Sequence, residues 1–111
     1  MPHLEGQVLW PGDAPPGDAA LVLTVELRDV GRQDAAAPLL ARHAIPVAVP
    51  LQGGASAFQL DWAGPAVRPG EPAGDLALQA RVVDASGTLR YISTEHVAAA
   101  PGARVQLRRV D

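Results

Sequence analysis

Apolar residues in this chain recur at every second position in short runs, and eleven prolines and eleven glycines cut those runs apart. Period two puts alternate side chains on opposite faces of an extended strand, whereas a helix requires a period near 3.6. The clearest run is 21–29, where Leu21, Leu23, Val25 and Leu27 share one face and Thr24, Glu26 and Arg28 share the other. That pattern describes a strand with one buried and one wet face. A second run, 76–82, turns Leu76, Leu78, Ala80 and Val82 the same way. It passes through Asp84-Ala85-Ser86-Gly87 into Thr88–Ser93, which reads as a β-hairpin with a loop of about four residues.

Weaker alternation predicts strands at 5–10, 39–45, 57–62 and 103–110, with Phe58, Leu60 and Trp62 on one face of the third. The connectors 11–18, 46–54 and 63–74 are too rich in Pro and Gly for helix interiors or central strands. The stretch 30–38 is read as a loop with at most one helical turn, because Pro38 interrupts its alanines. Seven short strands predict one all-β domain over residues 1–111. The expected form is a seven-stranded antiparallel β-sandwich of immunoglobulin-like or transthyretin-like arrangement. Its core is expected to hold Leu23, Val25, Leu27, Phe58, Leu60, Leu78, Ala80 and Val82.

A chain of 111 residues supplies one core without metals or disulfides, and there is no Cys to provide either a disulfide or a thiolate ligand. The formal net charge of −3 argues against a nucleic-acid partner, whose phosphates require a basic face. No run approaches the roughly 20 apolar residues of a membrane helix. The opening residues Met1–Glu5 carry no basic and apolar signal pattern. The expectation is therefore either a cytoplasmic protein or one whose leader has been removed.

Catalytic and metal signatures are weak. His3, His43 and His96 stand far apart, and Glu95-His96 alone is no ligand pattern, so no metal is expected. Ser56, Ser86 and Ser93 all lie outside a nucleophile elbow. Paired carboxylates are the most available chemistry, Asp29 with Asp34, Asp61, Asp84 and Glu95, but Asp29 and Asp84 each end a strand, where aspartate serves turns. Gly53-Gly54 lacks the Lys and Ser/Thr of a phosphate loop. The chain is read as a non-enzyme with no cofactor.

Two places remain open to a partner. Trp10 precedes Pro11-Gly12 at a strand end and is either a core-edge residue or an exposed interface anchor. The loop Asp29-Val30-Gly31-Arg32-Gln33-Asp34 leaves a buried strand carrying three charges. Asp29 and Arg32 either pair across the turn or, with Asp34, contact another protein.

Three segments taken together carry a resemblance. They are Leu21–Ala35, ending Leu27-Arg28-Asp29-Val30-Gly31-Arg32-Gln33-Asp34-Ala35; Phe58-Gln59-Leu60-Asp61-Trp62; and Leu78–Val82 followed by Gly87–Thr94. Their order and spacing, across about 5–110, resemble the YbaY/YscW family of bacterial lipoproteins, with Gly31 where Ser is usual and Val82 where Ile is usual. The resemblance implies a lipid-anchored β-sandwich on the periplasmic side of the cell envelope, at the outer membrane. Its type III secretion members act as pilotins, small chaperones that escort a secretin. Neither a leader nor a lipidated Cys stands in this sequence. The leading expectation is an envelope accessory that binds another protein and reaches a membrane only through a lipid anchor. The alternatives are a small-molecule or carbohydrate-binding sandwich stacking its ligand on Trp10 or Tyr91, and a hydrolase with an unrecognised site.

Overall fold

The computed structural model describes residues 3–15, 20–29, 39–50, 54–62, 76–93, 97–99 and 102–110. Within them the chain runs β1 (His3–Leu9), β2 (Leu21–Asp29), β3 (Leu39–Val47), β4 (Ala55–Asp61), β5 (Leu76–Val83), β6 (Leu89–Ser93), β7 (Val97–Ala98) and β8 (Ala103–Arg109). The seven expected strands are all present, and β2 has the bounds its alternation implies. The two-residue β7 is additional: it pairs with Ala77 and Leu78 of β5, so β6 and β7 lie end to end along one edge of that strand. The loop expected at 30–38, with at most one helical turn, falls outside the described residues.

The β5–β6 hairpin closes as its sequence suggests. Gly87 takes a φ of 87°, a left-handed conformation that a residue without Cβ adopts freely. Asp84 Oδ1 accepts hydrogen bonds from the Ser86 amide (2.9 Å), the Ser86 hydroxyl (2.6 Å) and the Thr88 amide (3.0 Å). This carboxylate knits its own turn, and those bonds, led by the Ser86 hydroxyl, hold its pKa below the ordinary aspartate value.

The architecture differs from an antiparallel sandwich in two respects. The strands form one continuous path, β3-β2-β5-β6-β8-β1-β4, instead of two separate sheets. Moreover, β1 and β8 run parallel, pairing Gly6 with Ala103 and Val8 with Val105. The reason lies in β8, which serves two neighbours in succession. Residues 103–106 pair with β1, and 107–109 pair antiparallel with β6. The two halves therefore share a strand where a sandwich would leave a gap. The path curls until its two ends, β3 and β4, come close. They leave between them a cleft of about 260 Å³ lined by Arg42, His43, Gln59, Leu60 and Asp61. The result is a mixed sheet nearly closed into a barrel.

The inward faces fill this barrel. Leu23, Val25, Leu27, Phe58, Leu60, Leu78, Ala80 and Val82 are all buried, as their alternation implies, and Leu4, Val8, Trp62, Tyr91, Val105 and Leu107 join them. Pro46 stands in β3, an edge strand, where a missing backbone donor is tolerated.

Candidate functional site

Of the candidate contact residues Trp10, Asp29, Arg32 and Asp34, the structure describes Trp10 and Asp29. Trp10 is in the core: its ring meets Tyr91 edge to face at 5.1 Å, and Nε1 donates to Ser56 Oγ at 2.9 Å. Both polar and apolar parts of the indole are thus satisfied internally, which corrects its candidacy as an exposed anchor. Tyr91 is likewise buried, so neither aromatic presents a stacking face to solvent. Asp29 is the last residue of β2, while Arg32 and Asp34 lie outside the described residues.

Among the described residues, the densest charged group lies on the outer face of β3-β2-β5. Cross-strand register puts Arg42 of β3 and Gln79 of β5 directly opposite Glu26 of β2. Arg28 follows two residues along β2, and Arg81 is diagonal, opposite Thr24. Residues paired this way share a face and reach one another. Glu26 Oε2 accepts from Arg28 at 3.1 Å and from Arg42 at 3.3 Å, while Oε1 accepts from Gln79 at 3.1 Å and lies 3.5 Å from Arg81. The Glu26 side chain is only 2% exposed, although Arg42 and Arg81 remain 50% and 45% exposed.

Alternation alone assigns Glu26 to the wet face. It does point outward, but on the middle strand of three, where the stems of longer side chains cover it and carry their charged ends into water. Thr24, two residues before it on the same face, is buried as well. One partner, Arg28, was near in sequence; the others were set by a strand register that spans most of the chain.

Burial pushes the Glu26 carboxyl up, and this is the largest single influence. The Gln79 and Arg42 hydrogen bonds and the charges of Arg28 and Arg81 together outweigh it and hold the group below its ordinary value. A carboxyl with a lowered folded pKa contributes stability that is complete above its unfolded pKa and is lost as pH falls through the folded value. Glu26→Gln is therefore expected to flatten the acid limb of stability. Urea midpoints of wild type and variant, compared between about pH 3 and about pH 6 across the carboxylate range, measure this. Equal slopes would contradict the ion cluster.

A second charged group sits at the strand ends of β1 and β4. His3 Nδ1 is 2.6 Å from Asp61 Oδ1, and Nε2 is 3.3 Å from Glu5 Oε1. These bonds, Asp61 first, raise the imidazole pKa above its ordinary value. The group is exposed and acts as a surface clasp on the β1–β4 pair. A groove of about 460 Å³ over β1, β4 and β8 is walled by Glu5, Gln7, Gln59 and Arg104, charges of both signs. Among the described residues, no three His, Asp or Glu side chains are grouped to hold a metal ion.

No protein-family model matches the chain, and no curated protein matches it either. Among solved structures, it is similar to an alternative pilotin from the type II secretion system of Vibrio cholerae. The TM-score is 0.71 at 24% sequence identity, covering 98% of this chain and 96% of the other. The likeness extends end to end in both chains, and what it shows is that this all-β architecture is a pilotin-like fold.

Proposed function

We propose that this chain is a protein-binding accessory of a bacterial secretion system, a pilotin-like module of the cell envelope that escorts or steadies a secretin. The observation that carries the reading is the full-length likeness to a solved pilotin. The sequence resemblance to the YbaY/YscW lipoproteins points the same way, on residues that the structural likeness also spans. The two differ in the system they suggest: type III for the sequence resemblance and type II for the structural neighbour. The common element is a small β-rich partner of a secretin. The role is one of binding, without catalysis. A carbohydrate-stacking role is less well supported, because Trp10 and Tyr91 pack against each other inside the barrel.

The experiment is genetic. Deleting the gene from its own bacterium and fractionating the envelope reads where the secretin encoded in the same genome accumulates. The expected result is secretin multimers lost from the outer membrane and restored by the wild-type gene. Unchanged multimers in the deletion strain would overturn the pilotin reading.

A further inference from the structure

The outer face of β3-β2-β5 runs against the charge of the whole chain. The protein carries a formal net charge of −3, yet here three guanidinium groups surround a single carboxylate. Glu26 is enclosed by its partners, so it orders the arginines from behind and shows almost nothing to solvent. A guanidinium has five N–H donors in a rigid fork, and the Arg42 hydrogen bond and the Arg81 ion pair to Glu26 engage only part of each. Both groups are thus held in place with donors still facing water.

Apolar residues flank this charged centre on the same face. Val22 (37% exposed) and Leu39 (42% exposed) are the exposed large hydrophobics among the described residues. Val22 is paired with Pro46 and Val83, beyond Thr24 at one end. Leu39 reaches the outer face through a bulge: Leu27 pairs with Ala41 but Arg28 pairs with Leu39, so the extra residue reverses the alternation of β3. Without the bulge, Leu39 would share the inward face of Ala41 and His43. Val22 and Arg28 are six residues apart on β2, a span of about 20 Å. A helix covers that distance in about 13 residues.

We propose that the outer face of β3-β2-β5 docks an acidic amphipathic segment of another polypeptide, its carboxylates meeting Arg42 and Arg81 and its apolar ends covering Val22 and Leu39. Charge complementarity selects the sign of the partner, and the two separated apolar ends favour an extended or helical segment over a point-like headgroup. Fixed arginines flanked by apolar residues match the make-up of interface centres, where Arg is enriched. The inference rests on the protein-binding reading and adds to it a face and a partner chemistry.

The test is a titration of the isotopically labelled protein, followed by amide chemical shifts. The probe is a synthetic amphipathic peptide of about 14 residues, with Leu at its ends and Glu in its middle turns. Its counterpart carries Lys for Glu, and a third sample contains vesicles of zwitterionic lipid and phosphatidylglycerol. Shifts are expected in β2, β3 and β5 with the acidic peptide alone, weakening as salt is raised. Arg42→Gln combined with Arg81→Gln is expected to weaken binding at least about tenfold, as loss of interfacial charge pairs does. Val22→Thr combined with Leu39→Thr leaves the ion cluster intact and is also expected to weaken binding, so it decides the matter if the arginine variant does not fold. No shifts, shifts on another face, equal binding of the Lys peptide, or vesicle binding without peptide binding would each overturn the proposal. A secretin that binds elsewhere on the barrel would refute this face and leave the proposed function standing. A peptide that binds here with no secretin interaction would refute the secretin role alone.

Discussion

Leu27→Ala is expected to destabilise the protein by about 2–5 kcal/mol, the range for deleting a buried leucine and leaving a cavity. Leu27 is fully buried on β2, an interior strand, with Ala41 and Leu78 as its cross-strand neighbours. Neighbours on both sides are held in hydrogen-bonded ladders, which limits how far the site can collapse. A domain of this size has a total stability of about 5–15 kcal/mol, so the variant sits near the edge of folding. Its melting temperature is expected to drop by on the order of 10 °C or more. Urea unfolding checks the free energy directly. A loss under about 0.5 kcal/mol, ordinary for surface positions, would mean that the inward face of β2 is misassigned.

Gly6→Ala is expected to cost about 1–3 kcal/mol, the range for overpacking a filled interior. A Cβ at this position would stand 2.6 Å from the Phe58 ring and 2.6 Å from the backbone oxygen of Ala103. The requirement for glycine here comes from close approach: β1 is clamped between β4, which supplies Phe58, and β8, which supplies the carbonyl. The two neighbours differ in how far they can yield. Phe58→Leu removes the offending ring atoms, but the Ala103 oxygen belongs to the parallel ladder and cannot withdraw without breaking it. A double-mutant cycle between Gly6→Ala and Phe58→Leu is therefore expected to show partial rescue. Complete rescue would mean that the Ala103 carbonyl is not there, and hence that β8 does not lie beside β1.

These two positions also show where sequence reasoning succeeds in this fold and where it stops. Leu27 was legible because a strand of nine residues states its own inward face through alternation, with no knowledge of its neighbours. The β5–β6 hairpin was legible because Asp84, Ser86 and Gly87 are turn chemistry written in four consecutive residues. The parallel β1–β8 pair was not: its strands are separated by nearly the whole chain, and no local turn announces it. The same limit hid the Glu26 cluster, since Arg42, Gln79 and Arg81 meet Glu26 only through register across three strands. Trp10 was ambiguous for a related reason. Its place before Pro11-Gly12 suggested an exposed strand end, whereas Ser56 and Tyr91, which bury it, come from β4 and β6. Leu39 depended on a bulge that alternation cannot foresee. What the sequence expressed locally was faces and turns; what it left out was which strands become neighbours.

Binding between purified components tests the proposed secretin interaction. Isothermal titration of the folded protein with the secretin encoded in the same genome is expected to give a saturable, specific complex. An unrelated outer-membrane protein is expected to give none. Absence of heat and of co-elution with a folded secretin, at concentrations where both proteins remain soluble, would contradict the account.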